Sequence, residues 1–287
     1  MIKVLKAGFY ATIQDRGRVG FASIGVPVSG AMDMYSAEIA NSLLNNDLDD
    51  AVLEITFGGT MLQFLNDTFI AISGANFNPV LNQENLKQNK RIKVRKGDIL
   101  SFGNFNLGVR SYLAVKGGFQ TTKVLKSRSQ FKNITKDFRI KKDELLTIKS
   151  YSEDLKSTNA FVKVNSNHFT STSILCFEGP EFYLLSEEQK QILFNTVFSI
   201  SSDNNRMGYR LKETIKNNFF SILTSAVLPG TVQLTPSGKL IVLMRDCQVT
   251  GGYPRILQLS EPAISILAQK KTNSELTFRL MHYTDIG

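Results

Sequence analysis

Histidine is almost missing from this chain. His168 and His282 are its only two, and neither lies in a polar motif. A Ser-His-Asp or Cys-His centre needs a histidine beside a nucleophile, and no serine or cysteine here sits in a nucleophile-elbow motif. Cysteine is as sparse: Cys176 and Cys247 stand far apart and match no metal-ligand spacing. Two histidines without a cysteine cluster make a poor zinc site, so no metal is expected. The thiols read as free and buried, as in a reducing cytoplasm. Neither a G-x-x-x-x-G-K-[ST] loop nor a G-x-G-x-x-G turn occurs. No apolar run reaches the roughly 18 residues of a membrane span. The start, Met1-Ile2-Lys3-Val4-Leu5, has no long apolar core of a signal peptide. A cytoplasmic location without a membrane partner is the expectation.

Acidic residues are outnumbered, and the net charge is +9. Nucleic acid is therefore a candidate partner, and the placement of the charge argues against it. Lys90 to Lys96 alternates cations with aliphatic residues, the pattern of an edge strand with its charged face in water. A second basic region, Lys123 to Lys142, also contains carboxylates and amides. Neither interleaves aromatics for base stacking, so both read as solvated faces and no nucleic-acid partner is expected.

What is present is strand. Short aliphatic runs end at glycine pairs or turns: Leu53 to Phe57, Phe69 to Ile72, Ile99 to Phe102, Arg110 to Val115, Ser173 to Phe177 and Leu240 to Met244. Runs at this spacing with few helices between them predict a mainly β protein rather than a βαβ fold. Lys3 to Ile13 reads as a strand or hairpin. Ser29 or Asp33 is placed to cap a helix whose inner face is Ala37, Ala40, Leu43 and Leu44, stopped at Asn45-Asn46. Ser186-Glu187-Glu188-Gln189 is a capping box for a second helix. A short helix is expected around Pro262 to Ala268 and a last strand from Leu276 to Met281. The composition shift at Ser152 to Asn159 divides two β-rich halves, 1–155 and 160–287, between which strands are free to exchange.

The most informative stretch follows the run Leu240 to Met244. It reads Asp246-Cys247-Gln248-Val249-Thr250-Gly251-Gly252-Tyr253-Pro254. Polar groups leaving a buried strand are well placed to line a cavity. Paired glycines allow positive φ or close approach to the backbone. Gln248 suits orienting an amide, Asp246 acting as base or orienter, and Tyr253 donating a proton or hydrogen bond. The plain alternative is a polar turn. Other glycine-bordered polar loops hold Asp15, Arg16 and Arg18, Ser29 and Asp33, and Arg206 to Leu211 within the polar loop Ser201 to Leu211. Arginines there suit a carboxylate or phosphate, or a buried ion-pair network that fixes a loop. Arg18-Val19-Gly20-Phe21 and Arg206-Met207-Gly208-Tyr209 echo one another faintly, as an old duplication would leave them.

Five motifs occur in a fixed order: Gln14-Asp15-Arg16-Gly17-Arg18-x-Gly20, Gly25-Val26-Pro27-x-Ser29-Gly30-x-x-Asp33, Arg110-x-Tyr112-Leu113-Ala114-Val115-x-Gly117-Gly118, Arg206-Met207-Gly208-x-Arg210-Leu211, and Asp246 to Pro254. Together they resemble the biotin-dependent carboxyltransferase / allophanate hydrolase subunit 2 family across nearly the whole chain. Cys247, Val249 and the Leu234-Thr235 step depart from its usual pattern.

The resemblance implies cyclophilin-like barrel character in the β-rich halves. It implies the C component of a multi-subunit, ATP-dependent 5-oxoprolinase, which works with the A component and a KipI-like B component to convert 5-oxoproline to glutamate. ATP is then used by the complex, and no cofactor is bound covalently. Two alternatives remain: the carboxyltransferase part of a urea or amide carboxylase, the only case that involves biotin, and a KipA-like protein that binds a kinase inhibitor. The implied catalytic set is Asp246, Gln248, Tyr253 and Lys116. The implied substrate-binding set is Asp15, Arg16, Arg18, Ser29, Arg110, Arg206, Thr250, Gly251 and Gly252.

Overall fold

A computed structural model describes residues 1–104, 107–151 and 162–281. The expected boundary at Ser152 to Asn159 and the side chain of His282 lie outside the described residues. The chain forms two compact units, Met1–Arg18 with Ser29–Ser166, and Val19–Val28 with Asn167–Gly287. Both are built mainly of strands, as expected.

The first unit runs β1 (Ile2–Ala7), β2 (Tyr10–Gln14), α1 (Met34–Leu43), β3 (Val52–Thr56), β4 (Thr60–Phe64), β5 (Thr68–Gly74), β6 (Val80–Leu81), β7 (Glu84–Asn85), β8 (Arg91–Val94), β9 (Ile99–Ser101), β10 (Arg110–Val115) and β11 (Leu145–Leu146). They make two antiparallel sheets, ordered β11-β1-β4-β9-β6-β7 and β2-β3-β10-β5-β8. Ile2, Val4, Leu62 and Phe64 of one sheet and Ile13, Leu53, Ile70, Ile72 and Leu113 of the other share one core. Alternate residues of the second sheet, Val52, Phe69, Ala71, Tyr112 and Ala114, pack against Ala37, Ala40 and Leu44 of α1 and its end. That sheet is thus covered on both faces. This is why β3, β5 and β10 are buried at every position and lack the apolar–polar alternation of a half-exposed strand.

Asp33 caps α1. Its carboxylate accepts from the Ser36 N–H at 3.1 Å and from the Ser36 hydroxyl at 2.6 Å. The helix stops where Asn45 turns left-handed, φ 49°. The basic alternation of Lys90 to Lys96 becomes β8 at the sheet edge, with Ile92 and Val94 inward. The Lys3–Ile13 segment is two strands and not a hairpin. β1 pairs with β4 and β2 with β3, so the turn at Gly8 crosses from one sheet to the other. Local pattern cannot distinguish the two arrangements, because both keep the same residues inside.

The second unit contains α2 (Asn167–Thr170), β12 (Ser173–Glu178), α3 (Glu187–Asn195), β13 (Phe198–Asn204), β14 (Gly208–Thr214), β15 (Ser225–Ala226), β16 (Thr231–Leu234), β17 (Lys239–Leu243), β18 (Thr250–Gly251), β19 (Arg255–Leu259), α4 (Glu261–Ala268) and β20 (Glu275–Leu280). Seven strands close a barrel in the order β12-β19-β16-β17-β14-β13-β20. The closing pair, β12 with β20, is parallel. Inward residues alternate along the strands: Ile174 and Cys176, Val232 and Leu234, Leu240 and Val242, Leu276 and Phe278 are all buried. The capping box of α3 is formed, with Ser186 and Gln189 each bonding the other's backbone. Ser201 to Leu211, expected as a polar loop, is largely a β-hairpin of β13 and β14. The Asn205 side chain closes its turn by accepting from Met207 N–H at 2.7 Å. Its polarity marks an exposed hairpin tip.

Burial pushes the thiols of Cys176 and Cys247 up to about 12. The Tyr112 hydroxyl, fully buried beside Glu54, is raised well above its usual value. Groups raised in the folded state stabilise it fully below their unfolded pKa, about 8.5 for a thiol, and lose that contribution as pH climbs through the folded value. Urea midpoints should therefore hold from about pH 7 to 8.5 and fall as pH rises further toward the folded thiol value. Native-state labelling of either thiol at about pH 8 should be far slower than in urea.

Candidate functional site

β17 ends at Leu243, but its ladder continues. Met244 N–H donates to Met207 O at 3.0 Å and Asp246 N–H to Arg206 O at 2.8 Å. These bonds bring the Arg206 guanidinium against the Asp246 carboxylate, with Nε–Oδ2 at 2.7 Å and Nη2–Oδ1 at 3.0 Å. Both side chains are buried. Such a bidentate pair holds both oxygens and neutralises both charges. Asp246, expected as base or orienter, and Arg206, expected as an anion ligand, are bonded to one another. Cys247 packs into a small cluster with Val227 and Leu243. Arg245 turns to pair with Glu261 of α4.

Beyond this anchor the chain opens into a cleft of about 240 Å³. Gln248, Tyr253, Gly251 and Gly252 line it, joined by Asn205, Arg210 and Gln233, with Ile241 and Leu243 supplying apolar wall. A cleft of this size is on the scale of a small metabolite. Four of the expected site residues thus meet here. Thr250 lies between Gln248 and Gly251, exposed in β18 and paired with Ala226.

Neither glycine takes a left-handed φ, contrary to one expectation for the pair. The requirement at Gly251 is space: a Cβ there would stand 2.5 Å from Gln233 Nε2. Gln233 is itself buried, and that nitrogen donates to Tyr253 O at 3.2 Å. Sequence reasoning missed Gln233; its only signal is an amide inside the apolar run Thr231-Val232-Gln233-Leu234. Gly251→Ala should displace that amide and, through Tyr253 O, loosen the tyrosine. The expected result is weakened ligand binding with a melting temperature close to wild type, measured by calorimetry and thermal unfolding.

The electrostatics of the cleft are mild. Arg210 pairs with Asp203 at 2.8 Å. Among the described residues, the Gln248 amide and the Tyr253 hydroxyl have no hydrogen-bond partner, and both are available to a ligand. An amide with one donor and one acceptor edge and a phenol donor match the C=O and N–H of an amide or lactam. No carboxylate is among the residues lining the cleft.

The first unit places the remaining candidates in structural bonds. The Asp15 carboxylate accepts from Gly17 N–H, Ser127 Oγ, Ser129 Oγ and Arg128 N–H. The Arg18 guanidinium is buried and donates to Ser129 O. Arg16 lies on the surface, paired with Glu38 of α1. Ser29 is buried at φ 61°, and Arg110 lies 3.8 Å from Glu54. Lys116 donates to Leu44 O and Asn45 O at 3.0 and 2.9 Å, the position a cation takes at a helix C-terminus. It stacks over Tyr151, with 5.9 Å to the ring centre. Of the two echoing arginines, Arg18 donates to the Ser129 carbonyl and Arg206 to the Asp246 carboxylate.

The family description "Carboxyltransferase domain, subdomain A and B" matches residues 24–280. The chain belongs to this carboxyltransferase family. It is 34% identical over 275 residues to the C component of 5-oxoprolinase from Escherichia coli K12, covering 94% of this chain and 87% of that protein. Among solved structures, TTHA0988 superposes with a TM-score of 0.88 at 25% identity, over 97% of this chain and 55% of that one. The K. lactis urea amidolyase superposes at 0.87 with 27% identity, over 99% of this chain and 19% of that one. The carboxyltransferase chain thus spans about half of one structural relative and a fifth of the other. Among its described residues, no helix is long and apolar enough to cross a membrane.

Proposed function

We propose that this carboxyltransferase-family chain is the C component of an ATP-dependent 5-oxoprolinase, acting in the cytoplasm with the A and B components to convert 5-oxoproline to glutamate. The observation that carries this is the likeness to the Escherichia coli C component along most of both chains. The cleft of the barrel unit agrees with it. Gln248, Tyr253, Gly251 and Gly252 line the cleft; in this reading the Gln248 amide pairs with the lactam amide and the Tyr253 hydroxyl donates to its carbonyl. Asp246 and Arg206 hold the loop that presents Gln248. ATP is consumed by the complex, in keeping with a sequence that has no phosphate loop.

The test is reconstitution of the chain with the A and B components. ATP-dependent glutamate release is expected, and no release with all three present would refute the proposal. Gln248→Ala and Tyr253→Phe should each lower the rate at least tenfold. Both side chains are free at the surface of the cleft, so stability should stay within about 0.5 kcal/mol of wild type.

The likeness to urea amidolyase favours a second reading, the carboxyltransferase part of an amide carboxylase. That reading alone involves biotin, carried by a partner. Carboxylation of urea that depends on a biotinylated protein and stops on adding avidin would establish it in place of the first.

A further inference from the structure

A strap of chain beside the cleft carries apolar side chains pointed into water. Between β14 and β15, Phe220 is 91% exposed and Leu223 is 93% exposed. Leu228, just past β15, is 61% exposed. A phenylalanine and a leucine three residues apart and almost wholly in water are candidate anchors for an interaction surface.

The backbone beneath them is held. Asn217 Nδ2 donates to Ile215 O and Thr235 O, both at 3.1 Å, and Phe219 N–H donates to the Asn217 side chain at 3.0 Å. Ile222 N–H donates to Gly252 O at 2.9 Å, and Arg255 Nη1 donates to Ala226 O at 2.8 Å. A frame bonded at its root, middle and end presents its side chains without the ordering cost of a loose loop. The middle bond ties the strap to the glycine pair that lines the cleft.

Within the strap itself the charge has one sign. From Lys216 to Leu228 no acidic residue occurs. Lys239, opposite Thr214 in the barrel, and Lys216 are exposed, and neither has an ion-pair partner among the described residues. The complementary surface is an apolar groove with an acidic rim. Its source is suggested by the structural relatives, whose polypeptides continue well beyond the region matched by this chain.

We propose that the Phe220–Leu223 strap is the docking surface for a partner protein domain that presents an apolar groove rimmed by carboxylates, seated beside the cleft. The B component named in the proposed function is taken as that protein, so the inference rests on that reading. Two central apolar anchors account for most of the affinity of such a surface.

The experiment measures binding of the full chain to the purified B component by titration calorimetry. Phe220→Ser/Leu223→Ser should weaken binding at least tenfold. Lys216→Glu/Lys239→Glu should weaken it further at low salt than at high salt. Gln248→Ala, in the cleft, should leave it unchanged. Amide exchange across 219–223 should slow in the complex. Equal binding by the wild type and the strap variant would overturn the surface while leaving the complex intact. No binding by the wild type would overturn the complex and the surface with it. A wild-type mass of twice 32.0 kDa in light scattering, reduced to one copy in the strap variant, would assign the surface to self-association and refute the partner.

Discussion

Asp246→Ala is expected to lower the unfolding free energy of the barrel unit by about 3–5 kcal/mol, the cost of stranding one member of a buried ion pair. Its partner, Arg206, is buried and bonded to both carboxylate oxygens. Removing the carboxylate takes two acceptor oxygens from a buried guanidinium that cannot shed its proton. Arg206→Ala strands the carboxylate and should cost a similar amount. Replacing both with leucine should recover much of the loss, because the desolvation penalty disappears along with the attraction. Urea unfolding of the four proteins, followed by the fluorescence of Tyr209 and its neighbours, compares the two single alanine variants with the apolar pair. If Asp246→Ala kept full stability and lost only activity, the pair would belong to the chemistry and not to the anchor that presents Gln248.

Asp15→Ala should destabilise the first unit by about 3 kcal/mol or more, given several buried donors at about 1–3 kcal/mol each, offset where water enters. One carboxylate gathers the Ser127 and Ser129 hydroxyls at 2.7 and 2.6 Å, Gly17 N–H at 2.8 Å and Arg128 N–H at 2.5 Å. Asp15→Asn should fall between wild type and alanine. It keeps the size and one acceptor, but its NH₂ group faces donors that need a lone pair. Thermal unfolding gives the order, and faster exchange of the Arg128 amide would locate the damage. An unchanged exchange rate there would show that the serines and the loop are held by other bonds.

Both predictions concern partners far apart in sequence, and this separates what was legible from what was not. The stretch from Asp246 to Pro254 announced itself through an apolar strand that ends in polar residues and glycines. Four of its expected residues line the cleft. Gln233 did not announce itself, because a single amide within an apolar run has no periodic or motif signal. It matters only because β16 lies beside the returning chain at Gly251. Lys116 stood beside two glycines like a functional residue, yet it caps a helix that ends more than seventy positions earlier in the chain.

By itself the sequence determined the aliphatic strands such as β5, β10 and β17, the capping box at Ser186, the basic edge strand at β8 and, through five ordered motifs, the family. These follow from side-chain period, turn chemistry and caps, which act over a few residues. Only the tertiary structure decided that β1 and β2 join different sheets, that Asp15 binds Ser127 and Ser129, and that Arg206 closes on Asp246. It alone showed that Gly251 makes room for Gln233. The physical reason is common to all four: sheet order and barrel closure choose among partners that local pattern leaves equivalent, and a hydrogen bond between residues distant in sequence exists only once those strands have paired.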